Sequence, residues 1–110
     1  MEEKKEPLNV YSQLSDIELL RRAKEGDEGA FEYLHNRYRE KILNYSYRLV
    51  GKYETAEDIT QETFIRVYNG LAKFRGENVA GWIYTIARNL SLNELKKMKQ
   101  ERSESLYEVV

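Results

Sequence analysis

Residues 56–64 read AEDITQETF, residues 74–82 read FRGENVAGW, and residues 83–99 read IYTIARNLSLNELKKMK. The first is an acidic helix start, the second a Gly-containing break, the third a basic helix led by aromatics. Charge is divided in the same way. Residues 63–100 carry seven Lys/Arg (Arg66, Lys73, Arg75, Arg88, Lys96, Lys97, Lys99) against two acids (Glu77, Glu94). Residues 1–62 carry ten basic against fourteen acidic groups, and residues 101–110 one against three. The overall charge of −1 therefore hides a segment of +5 beside one of −4. Local charge decides what a surface attracts, so one part of the chain suits nucleic acid and another a protein.

Working outward, the helical period dominates. Ser15 and Glu18 have capping-box spacing, which predicts a short helix from about Asp16 that stops at Gly26. Asp27 is placed to cap a second helix. Its apolar positions Phe31, Leu34, Tyr38, Ile42, Tyr45 and Leu49 recur every three or four residues, and Gly51 ends it. Thr55 with Asp58 is the next start signal. Ile59, Thr63 with Phe64, Val67 and Leu71 carry that helix to about Lys73. Asn78 is the N-cap of the last helix, whose core stripe is expected at Val79, Ile83, Ile86 and Leu90. With no strand-like alternation, one Pro and six Gly in 110 residues, the chain reads as one all-α domain, a compact bundle of about four helices.

The boundaries expected are a flexible lead over 1–14, the bundle over 15–99 and a frayed segment over 100–110. There is no cysteine, which excludes disulfides and thiolate metal sites. No apolar run approaches the roughly 18–20 residues that span a bilayer, so no membrane partner is expected. The opening MEEKKEPLNV is acidic without an apolar signal region, which makes a cytoplasmic location the expectation.

Two surfaces carry candidate chemistry. On the last helix, Thr85, Arg88, Asn89, Asn93 and Lys96 fall on a sector apart from the core stripe. Cations there suit phosphates and amides suit base edges, while Trp82 and Tyr84 suit unstacked single-stranded bases. The plainer alternative is a solvated face with a core Trp. On AEDITQETF, residues Glu57, Asp58, Gln61 and Glu62 form an acidic and amide patch. It fits a basic partner, or simply the positive end of its own helix. Catalysis has little support: Asp58 and Glu62 lack a neighbouring His or Cys. The only histidine, His35, is expected exposed on another helix, and FRGENVAG is no phosphate loop. The chain is not expected to be an enzyme, nor to hold a cofactor or metal.

The order of motifs is more specific than any one of them. ELLRRAKEGDEGAFEYLHNRY, then AEDITQETFIRVYNGLAKFRG, then GWIYTIARNLSLNELKK resembles the N-terminal domain of extracytoplasmic-function (ECF) sigma factors, small members of the bacterial sigma-70 family. The resemblance implies the region 2 type of helical bundle over 15–99. Such a domain docks on the β′ clamp helices of core RNA polymerase and recognises and melts the promoter −10 element. It implies polymerase contacts at Asp58, Gln61, Glu62 and Phe64, although Phe64 also fits the core side of its helix. For the non-template single strand of the −10 DNA it implies Arg75, Gly76, Asn78, Trp82, Tyr84, Arg88, Asn89, Asn93, Lys96 and Lys97, with a flipped base held in the Gly76–Gly81 loop. An anti-sigma factor is a further implied partner.

Two departures lie in the base-reading part. The loop before Trp82 reads ENVAG where relatives often carry a Ser/Thr-rich, Phe-containing segment, and Asn93 stands where Asp is common. Nothing after Lys99 is long enough for region 4, the helix-turn-helix domain that reads the −35 element. The expectation is an isolated domain of a longer factor or a minimal form. An alternative function is a sigma-like decoy that binds an anti-sigma factor without reading DNA. Such a decoy would have no reason to keep the +5 segment with Arg88 and Asn89.

Overall fold

The computed structural model describes residues 8–109. Its elements are α1 (Leu8–Ser12), α2 (Asp16–Lys24), α3 (Glu28–Val50), α4 (Tyr53–Gly70), a 3-10 turn (Leu71–Lys73) and α5 (Val79–Val109). No strand occurs among the described residues. The long α3 is the hub, packed by α2, α4 and α5.

Local chemistry sets the boundaries. Ser15 accepts from the Glu18 backbone N–H, while the Glu18 carboxylate accepts from the Ser15 N–H at 2.8 Å, so both orphan donors are satisfied. Those bonds hold the Glu18 carboxyl below its ordinary range. Asp27 caps α3 by accepting from Ala30 N–H at 3.2 Å. Gly51 closes α3 in the left-handed region, with φ 76°, which a residue with a Cβ rarely adopts.

Three expectations need correcting. The expected lead extends to residue 14, but Leu8–Ser12 are helical and Tyr11 is only 7% exposed. Tyr11 donates to Asp27 at 2.9 Å, and the Arg37 guanidinium donates to the Tyr11 and Leu14 carbonyls and to Asp16. These bonds tie α1 to α3; residues 1–7 lie outside the described residues. Second, α4 starts at Tyr53 rather than near Thr55, because the chain re-enters helical geometry directly after Gly51. Lys52 supplies the first carbonyl without a side-chain cap. Third, α5 does not end near Gln100 but runs to Val109. No Gly or Pro interrupts it after Gly81, and residues 101–108 stand exposed.

The core lies where α2, α3, α4 and α5 meet. Leu19, Leu20, Leu34, Ile42, Val67 and Ile83 are fully buried, each contributing about 1.5–3 kcal/mol by leaving water. A second cluster joins Leu43, Val50, Ala56 and Ile59 to Leu90, Leu95 and Met98. On α5 the fully buried positions are Val79, Ile83, Ala87 and Ser91, while Ile86 and Leu90 are only half-buried. The stripe is turned from the expected one because the small Ala87 and Ser91 admit close packing. Ser46 on α3 and Ser91 on α5 bury their hydroxyls without a hydrogen-bond partner.

Candidate docking and nucleic-acid surfaces

The first surface is built on α4. Acids on its outer side are Asp58 and Glu62, with Gln61 between them; Asp58 and Gln61 are exposed. Glu62 accepts from Arg66 Nε at 3.0 Å, one turn on. Phe64 does not join them. It is 5% exposed, and its ring meets His35 edge to face at 4.5 Å. The helical period puts Phe64 on the core side, so its side chain forms the floor of a recess rather than a contact point.

The walls of that recess are Phe31, Gln61, Ile65 and Tyr68. Ile65 is 47% and Tyr68 53% exposed, and Tyr68 packs edge-on to Phe31 at 5.1 Å. Sequence reasoning missed both. Their signal was available, since Gln61, Ile65 and Tyr68 recur at steps of four and three. His35 was expected exposed but is partly covered by this packing. Burial, and secondarily the Arg39 charge, push its pKa below the ordinary imidazole value.

The second surface starts at the break before α5. Phe74 stacks on Trp82, centroids 4.4 Å apart and planes 20° from parallel. Gly70 lets the indole edge approach; a Cβ there would lie 3.0 Å from it. One ring face of Trp82 is therefore taken. Arg75 is folded back, donating from Nη1 to the Ala72 and Phe74 carbonyls at 2.8 and 3.3 Å. Lys24 Nζ donates to the Phe74 carbonyl at 2.9 Å, which fastens this turn to α2.

Asn78 acts as the N-cap, its Oδ1 accepting from Gly81 N–H at 2.9 Å, which leaves the amide Nδ2 to donate elsewhere. A Cβ at Gly81 would stand 2.5 Å from that Nδ2, so Gly81 makes room for the cap itself. Gly76 is exposed and is not in the left-handed region.

Along α5, Arg88, Asn89, Asn93, Lys96 and Lys97 are all exposed. Asn89, Asn93 and Lys96 share the sector of Trp82. Tyr84 does not: two residues turn the helix about 200°, and its ring packs against Tyr45 at 5.2 Å and Tyr38 at 6.5 Å on α3. Asn93 and Lys97 line a groove between α4 and α5 whose other wall includes Asp58 and Glu62. The two candidate surfaces thus adjoin. Among the described residues, no three His, Cys, Asp or Glu side chains are placed to hold a metal ion. No helix there is long and apolar enough to cross a membrane.

Residues 34–101 match the family model described as sigma-70 region 2, which defines the class: a region 2 domain of the transcription-initiation sigma factors. Among curated relatives, the chain is 36% identical over 83 residues to the ECF RNA polymerase sigma factor SigW of Bacillus subtilis, covering 74% of this chain and 44% of that protein. It is 39% identical over 87 residues to the RNA polymerase sigma-H factor of Pseudomonas aeruginosa, covering 78% and 45%. Among solved structures it resembles an engineered region 2 of sigmaE in complex with GTAAAA. The TM-score is 0.71 at 33% identity, covering 81% of this chain and 94% of that one. The chain belongs to the sigma-70 family, as a region 2 domain of its extracytoplasmic-function group. It spans less than half the length of these two curated relatives.

Proposed function

We propose that this domain docks on the β′ clamp helices of RNA polymerase through the outer face of α4 and reads a single-stranded −10 element with the 74–81 turn and α5. The carrying observation is that Asp58 and Glu62 of α4 face Asn93 and Lys97 of α5 across one groove, with Arg88, Asn89 and Lys96 exposed along the same helix. Asp58, Gln61 and Glu62 supply charge complementarity to a basic helical tip, and Ile65 with Tyr68 supplies the apolar anchor such interfaces need. Any partner that covers the same recess, an anti-sigma factor included, competes for it.

On the DNA side, the GTAAAA bound by the engineered sigmaE domain supports a single-stranded ligand for this fold. Asn78 Nδ2 and the turn's backbone face a base, while Lys96 and Lys97 are flexible point charges for phosphate. Trp82 offers a ring edge and one face.

The test has two arms. Combining Gln61→Ala with Glu62→Lys should weaken binding to isolated clamp helices by about 1–3 kcal/mol, with unchanged circular dichroism. Unchanged affinity would remove the docking assignment. Separately, Lys96→Ala with Lys97→Ala should weaken all −10 oligonucleotides about equally and flatten the salt slope, whereas replacing Asn78 should reorder them. The reverse pattern would exchange their roles.

A further inference from the structure

A basic row lies within residues 1–62, whose summed charge is −4. Tyr38 and Tyr45, seven residues apart on α3, both pack against Tyr84 of α5, so α5 crosses α3 along this tyrosine row. Lys41 follows Tyr38 by three residues and Arg48 follows Tyr45 by three. Both therefore emerge on the same, solvent-facing flank of the row, about 10 Å apart along the helix. Lys41 Nζ stands 5.5 Å from the Tyr38 ring centroid. Arg88 follows Tyr84 by one turn and occupies the facing edge of α5.

Lys41, Arg48 and Arg88 are exposed, and none forms an ion pair with a described residue. One acid touches the row: Asp16 accepts from the Tyr38 hydroxyl and pairs with Arg37 at 2.8 Å. Two others are turned away. Glu40 lies about 100° around α3 from Lys41, and Glu94 lines the groove on the α4 side of α5. The three cations thus flank one seam, and the carboxylate at its Tyr38 end, Asp16, is already paired with Arg37.

We propose that this seam carries the phosphate backbone of the DNA strand where it passes from the Trp82 sector of α5 around Arg88 towards α3, extending the nucleic-acid surface onto α3. The proposal rests on the DNA-facing reading of α5. Phosphate is the ligand chemistry because the tyrosine rings pack on one another, which leaves little free face for a base. Lys41 and Arg48 therefore add affinity without sequence choice.

The experiment is fluorescence anisotropy of labelled single-stranded and duplex 12-mers of mixed sequence, titrated with the chain from low to high salt. Combining Lys41→Gln with Arg48→Gln should weaken binding several-fold at low salt. It should make the log–log salt slope for single strands shallower by about 1.4, two phosphates' worth. The ranking of oligonucleotides, the circular dichroism and the affinity for clamp helices should not change. If the slope is unchanged while Arg88→Gln or Lys96→Ala lowers it, the seam is overturned and the DNA reading of α5 stands. If none of these substitutions alters binding, that reading falls as well. The reversal Lys41→Glu with Arg48→Glu must deepen the loss; a reversal no worse than the neutral pair also overturns the proposal.

Discussion

Phe74 and Trp82 are stacked, so the turn between α4 and α5 is held by a ring on each side of it. The contact joins the residue just before Arg75 to the first turn of the helix proposed to face DNA. Its geometry fixes where the intervening backbone can go.

Replacing Phe74 with Ala should cost about 2 kcal/mol, part lost burial and part the ring pair, measured by urea unfolding. Oligonucleotide discrimination should fall more than total affinity, because the Lys side chains farther along α5 are untouched. Equal losses of both would show that the stack does not shape the reading turn.

Gly81 and Asn78 should show coupled energetics of opposite sign. Ala is favoured over Gly inside a helix by up to about 1 kcal/mol, but here its Cβ displaces the Asn78 cap, worth about the same. Gly81→Ala is therefore expected to be neutral or destabilising in the native chain and stabilising in an Asn78→Ala background. A double-mutant cycle of unfolding free energies measures this.

Two groups give the domain opposite pH edges. The Tyr38 phenol is pushed up to about 12, mainly by burial and then by donating to Asp16. A folded-state pKa raised above its unfolded value of about 10 supplies stability that is complete below pH ~10 and lost as pH rises toward ~12. Tyr38→Phe should flatten that alkaline limb. His35 is depressed by burial, so its contribution is present above the ordinary imidazole pKa of 6.5 and declines as pH falls below it. His35→Gln should remove that acid-side slope in the same urea titrations.

The buried hydroxyls of Ser46 and Ser91 should prove dispensable. Each is buried without a partner, so removing the polar atom while keeping the small volume is expected to be neutral or to stabilise by up to about 1 kcal/mol. Ser91→Ala and Ser46→Ala, scored by thermal unfolding, check this. Ser91→Val should destabilise instead, because the site is fully buried and added methyl groups must displace packed neighbours.

The helix starts marked by Ser15, Asp27 and Asn78 were legible because a cap is a local hydrogen bond between near neighbours. The stop at Gly51 was legible for the same local reason. Where tertiary contacts decide, the sequence was silent. Pro7 and a polar lead hid α1, whose order comes from Arg37 and Asp27, many residues away. The start of α4 at Tyr53 was missed because no side chain caps it. Trp82 and Tyr84 are two residues apart, yet a helix sends them to different faces, so closeness in sequence misled. Ile65 and Tyr68 passed unnoticed because exposed apolar residues look like core until the opposite wall is known. The acidic balance of residues 1–62 concealed Lys41 and Arg48, since a sum over sequence says nothing about one helix flank.

The groove shared by Asp58, Glu62, Asn93 and Lys97 has a thermodynamic consequence. A cation brought to the two carboxylates raises the local potential felt by Lys97, and an anion brought to Lys97 does the opposite at the carboxylates. Two ligands seated on opposite walls, one cationic and one anionic, would also meet each other's field directly. Whatever factor one occupant changes in the affinity of the other must be returned in full, because a coupling free energy is reciprocal. If the domain takes both ligands as proposed, its affinity for either would depend on the other's concentration, with ionic strength setting how strongly they communicate.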